Sequence, residues 1–208
     1  MKTKKMTNRQ AQAMETKKKI YDSGNELFQK YGFGKVSVDD IVEKAGVSKG
    51  SFYVYFNSKN SLIADVVADY VKELDLDYKS YLESFPADAK VSEILLSLVD
   101  EITDVLVGKI GYDLIKIVYE AQLDRTVNPV LIVGYNRDLY KLIAGIIDKG
   151  IYQGEFKKSL NVKTVTKYCV MTIRGATYEW CIRYPDYNFK KEVSEYFKIL
   201  LAGIKNND

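Results

Sequence analysis

Apolar residues along this chain recur at steps of three and four, the spacing of one helix face. No stretch alternates apolar and polar residues between turn signals, so no strand is expected, and there is no internal repeat or low-complexity tract. Residues from Met1 to about Gln12 are polar and basic and read as a flexible arm (1–12). A helix follows to about Tyr31, with Ile20, Gly24, Leu27, Phe28 and Tyr31 on one stripe, and Gly32 ends it. Ser37 is a good N-cap, and Asp39 and Asp40 fall in the first turn, where carboxylates suit the positive helix end. That short helix runs to Ala45, Gly46-Val47 turns the chain, and Ser48 caps a second short helix ending near Phe56. Asn57 breaks it and Ser58 caps a long helix carrying Leu62, Val66, Tyr70, Leu74, Tyr78, Tyr81 and Phe85, which stops before Pro86. Such a helix spans about 42 Å.

Four or five more helices fit the remainder. They are Val91–Val107, interrupted by Gly108 and Gly111; Tyr112–Leu123; Val130–Tyr152, after a turn at Asn128-Pro129 and closed by Gly154; Val162–Arg183, stopped before Pro185; and Phe189–Ile204. The expected class is all-α, with about nine helices in total. An N-terminal three-helix unit (13–60) precedes a larger helical domain (61–208).

Composition narrows the chemistry. Hydrophobic residues make up 47% of the 208, enough for a packed core. No apolar run approaches the ~20 residues of a membrane span, and the N-terminus lacks the apolar core of a secretory signal, so a cytoplasmic protein with no membrane partner is expected. There is no histidine, which removes Ser-His-Asp and Cys-His catalysis, His-ligated zinc and proximal-His haem. No paired-carboxylate, P-loop or metal-spacing motif stands out, so no catalytic residue, metal site or cofactor is assigned. Cys169 and Cys181 fall on one helix, about 18 Å apart, too far for a disulfide. Charge is uneven: residues 1–60 hold 12 Lys+Arg against 6 Asp+Glu, although the whole chain is only +3. A basic quarter suits a polyanion partner, or is simply a solvated basic tail.

The informative segment is Ser37 to Lys59, S-V-D-D-I-V-E-K-A-G-V-S-K-G-S-F-Y-V-Y-F-N-S-K. Ile41 and Ala45 face inward on its first helix, Val47 fills the corner, and Phe52 and Phe56 face inward on the second at i, i+4. Lys49, Gly50, Ser51, Tyr53 and Tyr55 are left at the free end and outer face, a layout that can present a helix to a DNA major groove.

Ala45 through Lys59 resembles the helix-turn-helix of the TetR family, A-G-V-S-x-G-[ST]-[LF]-Y-x-Y/H-F-x-[ST]-K, at nearly every position. Ile20 to Gly32 resembles the family's first helix, except that Gly24 stands where Ala is usual, a departure that costs up to ~1 kcal/mol of helix stability. The resemblance is close over residues ~13–62; beyond them only helix count, spacing and length match. It implies that Lys49, Gly50 and Tyr53 read base edges: Gly50 permits close approach, Lys49 donates to guanine, and Tyr53 offers a ring face and hydroxyl. Ser37, Ser48, Ser51, Tyr55 and Lys59 are the implied phosphate contacts. Each serine is equally a plain helix cap, and Tyr55 is alternatively a packing residue. The basic arm either reaches a flanking minor groove or is a solubilising tail.

The last two helices carry more apolar surface than one core needs. Phe189, Val193, Tyr196, Phe197, Leu200, Leu201 and Ile204 give the last helix a wide apolar face. Its predecessor carries one stripe through Val162, Val165, Cys169, Ile173, Ala176 and Trp180, and another through Tyr168, Met171, Gly175, Tyr178 and Ile182. Two faces imply two partners, the protomer's own core and a second subunit; burial inside one large monomer is the alternative. TetR proteins dimerise through their last two helices, so the resemblance implies a homodimer, with Gly175, Val193, Phe197, Leu200 and Leu201 at its interface. The 17 tyrosines outnumber the 8 phenylalanines, a mixture suited to an apolar pocket with polar tips. Tyr119, Met171, Arg174 and Trp180 are the candidate ligand-binding residues, Arg174 facing either a ligand carboxylate or another side chain.

The expected function is therefore a repressor that binds double-stranded palindromic operator DNA as a homodimer and is released by an unidentified small, mostly apolar effector. A constitutive all-α DNA-binding protein without an effector is the alternative, and an enzyme is not expected.

Overall fold

A computed structural model describes residues 7–123 and 137–206. Its helices are α1 (Asn8–Tyr31), α2 (Val38–Ala45), α3 (Lys49–Tyr55), α4 (Lys59–Glu83), α5 (Val91–Asp104), α6 (Tyr112–Leu123), α7 (Asp138–Tyr152), α8 (Val162–Arg183) and α9 (Phe189–Ile204). Among the described residues there is no strand beyond one isolated bridge between Phe156 and Lys205. The all-α expectation holds, and the ends of α3, α4, α6, α8 and α9 fall within two residues of the expected ones. The expected turn at Asn128-Pro129 and the start of the helix that follows lie outside the described residues, as do Met1 to Met6 of the arm.

One expectation is corrected at the N-terminus. The arm was expected to extend to about Gln12, yet α1 starts at Asn8, because Thr7 and Gln10 close a capping box that satisfies the first free N–H groups. The expected Val91–Val107 helix also ends differently: α5 gives way to a π-helical turn, Val105–Ile110, terminated by Gly111 at φ +80°.

The described residues divide into two compact units, the first taking residues 7–69 and 117–123 and the second residues 70–116 and 137–206. In the first, α1 packs on α2 and α3 around Ile20, Ile41, Phe52, Phe56 and Leu62, all essentially inaccessible. A Cβ on Gly24 would lie 2.5 Å from Leu62 Cδ2, so this glycine lets α1 and α4 approach closely. In the second, α5 packs on α7 and α9, and α8 packs on the same two helices. Its core comprises Leu95, Leu98, Ile143, Ile147, Cys169, Val193 and Phe197. Burial pushes the Cys169 thiol up to about 12, so it is an inert packing group.

Long-range polar ties hold the second unit. Asp75, 5% exposed, receives Arg137 Nε and Nη2 at 3.0 and 2.7 Å and the Leu139 N–H at 3.4 Å. Glu155 accepts the Val91 and Ser92 N–H groups at 2.6 and 3.0 Å, capping α5 from a distant loop. Lys190 bonds both oxygens of Asp104 at 2.7 Å.

Candidate nucleic-acid interface

The first unit holds α3 rigidly by its inner face. Gly46, at φ +66° and ψ +36°, adopts the left-handed conformation that ends α2, and its N–H returns to the Glu43 and Val42 carbonyls. Val47 N–H adds a bond to Val42 O at 3.0 Å, completing the turn. Ser48 then caps α3 by accepting the Ser51 N–H at 3.1 Å. Phe52 and Phe56 are buried with ring centroids 5.7 Å apart. Lys49, Gly50, Tyr53 and Val54 are exposed, with Gly50 and Val54 nearly opposite Phe52 around the helix. The Tyr53 ring stands edge-on to Phe52 at 5.3 Å, which braces it without covering it.

The expected base readers therefore share one accessible face. Lys49 Nζ lies 2.7 Å from Asp39 Oδ1, and this hydrogen-bonded carboxylate raises its pKa. Both side chains are solvated, so the pair is weak and Lys49 can exchange Asp39 for a base edge at little cost.

The expected phosphate contacts separate. Ser48 Oγ and Ser51 Oγ share one hydrogen bond at 2.9 Å. Two hydroxyls carry two protons, so one donor remains for a phosphate. Ser37 is committed: its hydroxyl donates to Asp40 Oδ2 at 2.7 Å and accepts the Asp40 N–H at 3.1 Å. The Ser37 backbone N–H and hydroxyl bound to Asp40 hold that carboxyl below the usual range. Tyr55 is half-buried.

Lys59 departs from expectation. Its ammonium donates to Val36 O at 2.7 Å and Phe33 O at 2.9 Å and sits 4.1 Å from the centre of the Phe33 ring. Burial lowers its pKa, and Asp40 partly offsets this. The group thus ties the Phe33–Lys35 turn to the start of α4 instead of facing a phosphate. Nothing in the Ser37–Lys59 pattern signalled this, because a lysine bonded to carbonyls carries no sequence mark of its partners.

The second unit corrects two further groups of residues. Val193, Phe197 and Leu201 were expected at a subunit interface, but they are buried in the core of the chain itself. Leu200 is half-buried and Gly175 exposed. Exposed apolar side chains gather at Tyr168 and Met171 on α8 and at Tyr196 and Ile199 on α9. They line a groove of about 580 Å³ together with Gly175, Glu179, Glu192 and Glu195.

Met171 and Trp180 were both expected to line a ligand pocket. They are nine residues apart on one helix and so point to opposite sides. Met171 is exposed, while Trp180 is buried, stacked on Phe189 at 5.2 Å and edge-on to Tyr112 at 6.0 Å. One cavity cannot contain both. Arg174 is half-buried in the second unit, and Tyr119, also half-buried, falls in the first.

Residues 20–66, which include this whole helix-turn-helix, match the model for bacterial regulatory proteins of the tetR family. Residues 118–203 match the model for the C-terminal region of YsiA-like proteins. The chain belongs to the TetR family of transcriptional regulators. Relatives align over nearly its full length: the fatty acid metabolism regulator protein of Bacillus subtilis (strain 168) is 24% identical over 195 residues, 90% of this chain and 94% of its own. The HTH-type transcriptional regulator YvdT of the same organism is 26% identical over 185 residues, 86% of this chain and 92% of its own. The fold of this TetR-family regulator is similar to that of Thermus thermophilus FadR, a transcriptional repressor solved with lauroyl-CoA. The TM-score is 0.67 at 20% identity, covering 92% of this chain and 96% of that one. No helix among the described residues is long and apolar enough to cross a membrane.

Proposed function

We propose that this regulator is a homodimeric repressor that reads palindromic operator DNA through α3 and is released by a small molecule bearing a long apolar chain. The observation that carries the DNA reading is the division of α3: Phe52 is locked in the core while Lys49, Gly50 and Tyr53 are exposed, Lys49 held only in a solvated pair with Asp39. In this reading they contact base edges. Ser48, Ser51 and Tyr55 contact phosphates, while Ser37 and Lys59 position α2 and the turn before it. The second copy covers the groove of Tyr168, Met171, Gly175, Tyr196 and Ile199, since a monomer rarely leaves a contiguous apolar surface of this kind in water.

Long-chain acyl thioesters are the effector class to test first, because the name of the Bacillus relative and the ligand of the Thermus repressor both point to fatty acyl groups. Helix α4 contributes residues to both units, so a ligand that prefers one of its positions would couple the two functions. The coupling is typically about 1–3 kcal/mol and is reciprocal.

The test is selection of a random duplex library by the full chain, then anisotropy of the enriched duplex across salt and acyl-CoA concentrations. The expected product is an inverted repeat with half-sites a whole number of helical turns apart, about 34–36 Å per turn. Affinity should fall steeply with salt and with added lauroyl-CoA. Ile199→Asp should sediment as a monomer and bind the duplex poorly. A salt-insensitive protein without sequence preference would refute the DNA reading, and a dimeric Ile199→Asp would refute the interface.

A further inference from the structure

We propose that Val54 is a specificity-determining residue that reads the C5-methyl group of one thymine in each operator half-site. The inference rests on the reading of α3 as the helix that enters the major groove.

Val54 is 74% exposed. Between Gly32 and Asp69 the exposed large hydrophobic side chains are Tyr53 and Val54, adjacent on α3. Met14, Tyr31 and Leu123 are also exposed in the first unit, but Val54 is the most exposed of the large hydrophobic side chains described there. Val54 lies two residues from the buried Phe52, close to diametrically opposite it on a helix, so it points straight away from the core. Gly50 is four residues earlier on the same stripe. A Cβ there would meet only Ser48 Oγ, at 3.8 Å, so nothing screens the approach to Val54 from that side.

The side chain itself limits what it can recognise. Valine neither donates nor accepts a hydrogen bond, so it cannot hold a phosphate or pair with a polar base edge. Of the groups displayed in the major groove, thymine's C5-methyl is the apolar one. Valine is also a poorer helix former than the long polar residues that suit a purely solvated position. The register follows from the helix. Lys49 and Val54 are separated by about 7.5 Å of rise, roughly two base-pair steps of ~3.4 Å. The thymine should thus lie about two steps from the guanine that Lys49 contacts.

The experiment replaces each thymine of the library-selected duplex, one symmetric position at a time, with deoxyuridine, which removes only the methyl group. One position should cost the wild-type chain about three- to ten-fold in affinity per half-site, the scale of one methyl group withdrawn from contact. At that position Val54→Ala should bind the thymine and uracil duplexes alike. Because Val54 buries little of itself in the protomer, the variant should keep the wild-type circular dichroism and melting curve. If the library enriches a sequence and both proteins respond equally to uracil at every position, the Val54 assignment is overturned while the operator reading stands. If no sequence is enriched, the operator reading fails and this inference fails with it.

Discussion

The two units of this regulator are stabilised over different sequence distances. In the first, the helix caps are local, with Ser37 and Asp40, Ser48 and Ser51, and Ser58 and Ser61 each three residues apart, and the longer ties of Lys59 to Val36 and Phe33 and of Tyr21 to Asp69 span 23, 26 and 48 residues. In the second, Asp75 and Arg137 are 62 residues apart, Glu155 and Val91 are 64 apart, and Lys190 and Asp104 are 86 apart. A DNA-reading unit must present α3 in one geometry, and local caps fix each helix end independently of the rest. The contrast also sets where a single substitution does most damage. Losing a local cap frees one N–H to water, whereas losing one end of a long-range buried pair strands a charge.

The largest effect should therefore come from Arg137→Met. It leaves the Asp75 carboxylate, only 5% exposed, without its guanidinium. Removing one partner of a buried pair typically costs 3–5 kcal/mol, and the 22% exposure of the Arg137 side chain favours the lower end, about 3 kcal/mol. Trp180 is the sole tryptophan and lies in the second unit, so its fluorescence in a urea titration at fixed protomer concentration reports this loss. A loss under about 1 kcal/mol, the size of an ordinary surface pair, would show that the tie is solvated and would erase the distinction between the units.

A smaller effect is expected from Lys59→Met, which keeps the stem but removes the bonds to Phe33 O and Val36 O. Hydrogen bonds from charged groups contribute about 1.5–3 kcal/mol, and partial exposure of this one brings the expected loss to about 1–2 kcal/mol. Hydrogen exchange at the α2 amides should speed up accordingly. Operator affinity should drop because α2 is less firmly placed, yet the slope of log affinity against log salt should match the wild type. A slope reduced by about one would instead restore Lys59 as a phosphate contact.

The same division explains what the sequence disclosed. Helix ends were legible wherever a cap, a glycine or a proline sat beside a helical stripe, as at Ser37, Gly46, Ser48 and Pro185. The recognition face was legible because Phe52 and Phe56 fix the inward side of a short helix. The second unit's site was not. Met171 and Trp180 belong to separate apolar stripes of α8, and periodicity reports that both stripes exist without saying which meets solvent. Val193, Phe197 and Leu201 were misplaced for the same reason: the wide apolar face of α9 serves the protomer's core along one edge and leaves Tyr196 and Ile199 exposed along another. Partners chosen across sixty residues, such as Asp75 and Arg137, leave no periodic trace in either segment.

The smallest expected effect tests how tightly the first unit is packed. Gly24→Ala gains about 0.8–1.0 kcal/mol of helix propensity in α1. Against this, the new methyl group would come 2.5 Å from Leu62 Cδ2 and 3.4 Å from its Cγ. Leu62 is fully buried, so it yields only by moving its tip off its preferred rotamer, at a cost of about 0.5–1.5 kcal/mol. The two terms nearly cancel, and the net change should fall within about 1 kcal/mol of zero. At Gly150 in the second unit no such exit exists: a Cβ would run into the flat ring of Phe156, which is itself buried and tethered by its N–H to Gly150 O at 3.0 Å. The contrast is between a flexible side-chain tip and a pinned ring. Thermal unfolding followed through first-unit hydrogen exchange measures the Gly24→Ala change. A gain of the full helix increment would mean that Leu62 moves freely. A loss beyond about 2 kcal/mol, the range of an overpacked core, would mean that α1 and α4 are locked as rigidly as Gly150 against Phe156.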